Sequence, residues 1–463
     1  MKNIKNIIKK ALLFTGSTLL LAACSLNVPP PDQFSDPDAI TDVNTGRALL
    51  TSCYLSYPHH EYEFSLLGND FCPTNLSGKD VETQNLYNWQ DKNISNLSST
   101  VWPAYYTCIS NCDVLLERID KITTETAADL QEKQAIKAEA QLLKAMCYFD
   151  LLRIYATPYD ENSEADGIII KNMFGFETNG RSSKKTCIGM INSLITEASE
   201  VSNHPSKNGW LSQTAADYLL AETALYMGDY KKAAEYADDV IEQGEDSKIG
   251  GESYSRLWRT ESYGGRIFAF NTQNSYYIAI EYDSSEGDYY AVNPAFTFTD
   301  EDVRAKYTLY PKDQNGKTRN LMGKYNMMNK QGTQPNYINR MRYAGAYFIA
   351  AEAYARDNNE QMARERINHY LQLVSADPIA DNTTGDALVQ AILAEKYKEF
   401  VGEGSNYFDL KRTHSDLNRL STWGGAATAK ISKDDYRWNF PIPASEYKYN
   451  NNVTQNDKWP INR

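Results

Sequence analysis
The chain has 463 residues, with 47 basic and 60 acidic side chains and a formal charge of −13. It is longer than one small core needs, and its acidic balance repels phosphate backbones, which argues against nucleic acid as a partner. Its 33 tyrosines suit surfaces that stack on flat ligands while staying wet, although most are expected to pack between helices.

The charges are unevenly placed. Lys2, Lys5, Lys9 and Lys10 fall in residues 1–23, which hold no acidic residue, so the remainder carries 43 basic against 60 acidic residues, or −17. An apolar stretch from Ala11 to Leu21 follows the lysines. It is too short to span a bilayer, which takes about 20 apolar residues. A basic start, a short apolar core and small residues before a cut site predict a secretory signal over 1–23. The stretch closes on Leu21-Ala22-Ala23-Cys24, which resembles the bacterial lipobox. That motif implies diacylglycerol on the Cys24 sulfur and cleavage before it. Pro29-Pro30-Pro31 then reads as a stiff tether. No other stretch is apolar enough to span, so lipid is the expected anchor.

Helical periodicity dominates the rest of the chain. The spacing of Val101, Trp102, Tyr105, Ile109, Cys112, Leu116 and Ile119 predicts an amphipathic helix opened after Pro103. A longer one is expected over 129–155, ending before Thr157-Pro158. Further helices are expected over 215–227, 230–242, 343–356, 361–374 and 385–401. Two pairs are a repeat: Ala221-Glu222-Thr223-Ala224-Leu225 sits over Ala351-Glu352-Ala353-Tyr354-Ala355 without a gap, and Ala233 over Ala363. A helix, a polar turn and a helix with small residues at the crossing is tetratricopeptide logic. Residues 101–155 are a candidate third pair. Two regions have a different texture, 56–100 and 244–340, rich in Gly, Ser, Asn and Tyr. They hold strand-like runs at Arg266–Phe270 and Tyr276–Ile280. Long irregular insertions on a helical scaffold are where function is expected.

Six cysteines come after Cys24: Cys53, Cys72, Cys108, Cys112, Cys147 and Cys187. Their spacing contains no CxxC pair, so zinc is not expected. Buried free thiols are the default reading, with a disulfide from Cys53 or Cys72 left open. The histidines form no HExxH, and neither a nucleophile elbow nor a P-loop occurs. His59-His60-Glu61 is a weak metal lead that reads as a solvated loop.

Several blocks resemble one family. They are Trp102-x-x-x-Tyr106-x-x-Ile109-x-Asn111, Ala138–Ala145, and Tyr148-Phe149-Asp150-Leu151. The most specific is Glu395–Gly404 followed by Tyr407-Phe408-Asp409-Leu410-Lys411-Arg412. Phe440-Pro441-Ile442-Pro443-x-x-Glu446 and Gln455-Asn456 complete the set. Over nearly its whole length the chain resembles the SusD/RagB-like nutrient-binding lipoproteins of the Bacteroidota outer membrane. It departs at Lys396 and Asn406, where that family usually has Arg, and at Asp457-Lys458-Trp459, where it usually has Pro-Gly-aromatic. The resemblance implies a mainly α, tetratricopeptide-like scaffold over 24–463 with long irregular loop insertions and a few short strands. It also implies capture of oligosaccharide, or in some members peptide, for a SusC-like TonB-dependent outer-membrane transporter.

The Glu395–Arg412 block reads as a structural ion-pair network, with Asp409, Lys411 and Arg412 expected to pair with Glu399 or Glu403. No catalytic residue is expected. Sugars are held by flat aromatics against ring faces and by carboxylates, amides and Arg on hydroxyls. The candidates are Trp89 as a stacking platform with Tyr87, Asn88 and Asp70 beside it, and Tyr289, Tyr290, Asn293 and Arg319 in the second region. Trp102 reads as core. Asp283, Glu286 and Asp288 could supply oxygens to calcium, but the preferred reading is solvated loop charge and no metal. The expected protein is a non-catalytic surface lipoprotein that binds glycan. Rival readings are a peptide binder, a scaffold for surface enzymes, and a glycoside hydrolase.

Overall fold
The structure is a computed structural model. It describes residues 40–461 apart from 74–80, 161, 199–208, 259–263, 273–289, 294–295, 315–316, 327–335 and 420–429. Cys24, Tyr289, the strand-like run at 276–280 and the acidic triplet Asp283, Glu286 and Asp288 lie outside the described residues.

Helix α1 (Val43–Leu55) opens on a capping box: Asp42 Oδ1 accepts the Thr45 N–H at 2.9 Å, and the Thr45 hydroxyl accepts the Asp42 N–H at 3.1 Å. Two short helices come next, α2 (Glu61–Leu67) and α3 (Val81–Tyr87). The first long one, α4 (Asp91–Ile119), begins twelve residues before Pro103, the expected opening, and carries that proline inside it. Pro103 faces solvent, so the carbonyl it leaves without an amide can bond to water. Residues 56–100 are therefore largely helical and not an irregular insertion.

The antiparallel partner of α4 is α5 (Ala127–Tyr155), capped by Thr126 on the Asp129 N–H. Next come α6 (Lys184–Ala198), α7 (Gln213–Met227) and α8 (Tyr230–Glu242). Gly228 ends α7 at φ 77°, a left-handed conformation that glycine adopts without cost. The second half adds α9 (Val303–Thr308), α10 (Gly323–Asn326), α11 (Tyr343–Arg356), α12 (Glu360–Leu373), α13 (Gly385–Phe400), α14 (Ser405–Arg412) and α15 (Ala444–Tyr447).

The repeat is real and its copies are neighbours. The pair α7–α8 packs against α11–α12 through α8 on α11. Ala233, Ala237, Ala346, Ala350 and Ala353 are buried at these crossings. Gly345 on α11 brings the backbone against Tyr218, where a Cβ would lie 2.0 Å from the hydroxyl. The third pair, α4–α5, joins through α6. These helices share one apolar core.

Strands are short and antiparallel: β1 (Phe71–Pro73), β2 (Arg266–Thr272), β3 (Tyr290–Val292), β4 (Leu309–Gln314), β5 (Lys317–Met322), β6 (Asn336–Arg342), β7 (Leu417–Asn418) and β8 (Lys430–Ile431). They pair as β1 with β3, β2 with β6, β4 with β5 and β7 with β8. Cys53, Cys108, Cys112, Cys147 and Cys187 are buried free thiols. Among the described residues no helix is long and apolar enough to cross a membrane.

Candidate functional site
The sequence-predicted sugar platform is core. Trp89 is 0% exposed. Its indole Nε1–H donates to the Leu67 carbonyl at 3.2 Å, and its ring meets Trp438 edge-on at 4.5 Å. A ring closed on both faces cannot stack on a sugar, so its role is to pin the turn after α3. That turn holds Trp89 at φ 57°, and the Trp89 carbonyl accepts from Arg437 at 2.6 Å. Tyr87 is equally buried beneath the Arg419 guanidinium, 3.7 Å from its ring centre. Asn88 is half-buried between them. Trp102 is core, as expected, with its indole on Glu446.

Asp70 and Asn293 are brought together, but inside the protein. The Asn293 N–H donates to the Asp70 carbonyl at 2.9 Å and its side-chain amide to the Asn69 carbonyl at 3.0 Å. Asp70 Oδ2 accepts the Gly402 N–H at 2.8 Å. Burial pushes the Asp70 carboxyl up to about 7 against the pull of that amide. Asp70 and Asn293 thus clamp β1 and β3 to the end of α13 and do not reach a ligand. Tyr290 lies in β3 and Arg319 in β5. Their side chains, with that of Cys72 in β1, lie outside the described set.

The Glu395–Arg412 block is the expected ion-pair network with different partners. Glu399 binds Arg342 at 2.5 Å, and Glu403 binds Lys324 at 2.7 Å and Arg342 at 2.9 Å. Arg412 does not pair with Glu399 or Glu403. It forks onto both oxygens of Glu352 at 2.8 Å, and Asp409 takes Lys396 at 2.8 Å and Arg412 at 2.9 Å. Lys411 donates to the Arg153 and Ile154 carbonyls. Burial opposes ionisation of Glu352, but Arg412 and Arg356 overcome it and hold the carboxyl at about 2. The departures at Lys396, Asn406 and Trp459 are absorbed: Asn406 donates to the Gly68 carbonyl at 2.6 Å and Trp459 to the Asn439 carbonyl at 2.8 Å.

Above this network lies a cavity of about 170 Å³ that sequence reasoning did not find. Its aromatic lining includes Tyr57, Tyr105, Phe149, Tyr226 and Phe408, and its polar lining includes His60, Asp150, Arg153 and Arg340. Tyr57, His60 and Glu61 come from the first predicted ligand region, and Asn339 and Arg340 from the end of the second. The regions were legible and the residues were not.

Asp150 is the hub. It accepts from the Tyr57 hydroxyl, from Tyr105 at 3.3 Å and from Arg153, with Arg340 at 3.6 Å. Burial works against its charge, and the two guanidiniums outweigh burial and leave the carboxyl below its ordinary range. The Arg153 guanidinium lies over the rings of Phe149 and Phe408, 4.6 and 4.3 Å from their centres. Burial drives the His60 imidazole down to about 4, so it is neutral at ordinary pH and does not sit in a solvated loop. No cluster that could hold a metal occurs among the described residues.

Several polar atoms of this lining have no hydrogen-bond partner among the described residues. They are Arg340 Nη2, Arg153 Nε, the Tyr226 hydroxyl, His60 Nε2 and Glu61 Oε2. Buried polar atoms left open in a native fold mark a place where water or a ligand completes them. The volume is close to the roughly 150 Å³ that admits a six-membered ring. Aromatic faces, open donors and an open acceptor together suit a compact ligand bearing several hydroxyls.

Known proteins agree with the helical-repeat architecture. A SusD superfamily protein from Bacteroides vulgatus superposes with TM-score 0.77 at 19% identity, over 91% of this chain and 100% of its own. One from Bacteroides thetaiotaomicron gives 0.73 at 22% identity, over 90% and 100%. A SusD-like carbohydrate binding protein from Bacteroides vulgatus gives 0.73 at 17%, over 89% and 98%. No curated protein matches. Residues 32–222 match a family described as starch-binding and associating with the outer membrane. Residues 167–459, which hold the repeat, the ion-pair network and most of the cavity wall, match the SusD family, and the chain belongs to that family.

Proposed function
We propose that this protein is a lipid-anchored, carbohydrate-binding protein of the outer membrane that captures oligosaccharide and delivers it to a SusC-like TonB-dependent transporter. The family match supports the reading over most of the chain. The observation that carries it to a site is the cavity, where aromatic rings stand beside polar atoms with open hydrogen-bonding capacity. One sugar ring of the ligand enters this cavity, with Tyr226, Arg340 and Glu61 on its hydroxyls and the aromatic wall around it. In this reading no bond is broken: Asp150, Glu222, Glu403 and Asp409 are tied to arginine, lysine or tyrosine, and Glu61 serves as the open acceptor. The lipid sits on Cys24 and the transporter receives the loaded protein.

The test is calorimetry of residues 25–463 against plant, fungal and host oligosaccharides, with product analysis. Binding to one glycan class without product supports the reading. Binding to peptides alone, or release of reducing sugar, replaces it with a peptide carrier or a hydrolase.

A further inference from the structure
One loop displays apolar side chains that the core does not use. Met173, Phe174 and Phe176 are 58%, 48% and 75% exposed, within four consecutive residues. Their loop is not loose, because Glu177 closes it. The Glu177 carboxylate accepts the N–H groups of Asn172 at 3.1 Å and Met173 at 3.5 Å, and the side-chain amides of Asn172 and Asn179 at 3.1 Å each. The Lys171 ammonium donates to the Gly175 carbonyl at 2.6 Å. Gly175 turns the tip at φ 115°, with no other atom within 4 Å of where a Cβ would stand. The tip is thus a braced, projecting knob. Exposed apolar residues grouped in this way mark a surface that another phase or molecule covers.

Its position names the occupant. The Phe174 N–H donates to Glu117 at 3.0 Å, one turn from the C-terminal end of α4. The described chain begins at Ile40 and enters α1 at that same end. A Cβ at Gly46 would lie 3.1 and 3.6 Å from the tips of Ile119 and Ile122, and Arg47 pairs with Glu132 near the start of α5 at 2.7 Å. The knob and the entry point of the tether therefore share the α4–α5 hairpin end. Ile40 lies sixteen positions after Cys24, an extended reach of at most about 50–60 Å.

We infer that Met173, Phe174 and Phe176 dip into the lipid surface to which Cys24 is tethered, which fixes the orientation of the domain on the membrane. The inference rests on the proposed lipidation. A lipidated cysteine already supplies affinity, but a long tether leaves the domain free to roll. Three apolar side chains on a rigid tip suit insertion at the interfacial depth of a bilayer. They project outward, whereas a protein partner would need them to enter a pocket of its own.

The test uses the full-length protein, matured by its host, on phosphatidylcholine–phosphatidylglycerol vesicles. Flotation of the wild-type protein and its loss in Cys24→Ser establishes the anchor. An environment-sensitive dye is then placed at Phe176→Cys and, as a remote control, at Asp381→Cys, with unmutated protein giving the background from native thiols. The expected result is a blue shift at position 176 and quenching there by brominated lipid of about twofold or more, with neither at 381. A floating protein whose 176 probe stays aqueous overturns the knob while leaving the anchor intact. Shielding of the probe only after a transporter protein is added overturns it in favour of protein docking. Failure of the wild-type protein to float overturns both.

Discussion
Arg340 and Arg153 share one carboxylate, that of Asp150, so two cations from β6 and α5 are held by a single acid in the cavity wall. Removing that acid leaves both guanidiniums and two tyrosine hydroxyls facing each other without their common acceptor. Asp150→Ala is expected to destabilise the fold by about 3–5 kcal/mol, the range for breaking a buried charge pair. The urea unfolding midpoint reads it directly.

Tyr226→Phe separates binding from stability. The Tyr226 hydroxyl has no partner among the described residues, so the fold loses nothing with it. Stability should change by less than about 0.5 kcal/mol. A ligand that uses the hydroxyl should bind roughly three- to tenfold more weakly, the worth of one hydrogen bond. Unchanged affinity for the cognate glycan, measured by calorimetry, removes the cavity from the binding path.

Trp89→Ala reports on packing. The substitution empties a closed site beside Trp438 and Tyr407, and a cost of about 3–5 kcal/mol is expected. If the variant unfolds at the wild-type denaturant concentration and loses only glycan affinity, the ring stacks on sugar after all.

Asp70 sets a pH dependence of unusual sign for a carboxylate. Its folded value of about 7 lies above the ordinary 3.8. Between those values the folded chain holds a proton that the unfolded chain has released. This group's contribution therefore falls as pH rises from about 4 to 7, on the order of 1 kcal/mol per unit. Asp70→Asn keeps an acceptor for the Gly402 N–H and removes the titration. The difference in unfolding free energy between wild type and Asp70→Asn should shift toward the variant across that interval. A constant difference refutes it.

Legibility in the sequence depends on what each element needs. Helices α8 and α11 are legible to the residue because alanines recur at helical spacing and polar turns bound them. The start of α4 is hidden because Pro103 looks like an opening residue, and only its solvent-facing position makes it an interior one. Helices α2 and α3 have seven residues each, two turns, too few for an apolar stripe to declare itself. Trp89, Tyr87 and Asp70 look like a ligand loop because aromatics beside Asn and Asp are the composition of a sugar site. The partners that bury them, Trp438, Arg419 and Gly402, lie more than 300 residues away in sequence. One local signal for the cavity does exist: Asp150 interrupts the apolar run Tyr148-Phe149-Asp150-Leu151-Leu152 on the buried face of α5, and an acid there needs partners.

The cavity is assembled from six separate stretches, around Tyr57, Tyr105, Asp150, Tyr226, Arg340 and Asp409. Local pairing of two helices builds no part of it that could hold a guest. A newly made, still unfolded chain is therefore incompetent to bind until its last helices have closed over its first. A guest in the cavity touches the beginning, middle and end of the chain at once, so it should slow unfolding of the whole molecule and not of one segment.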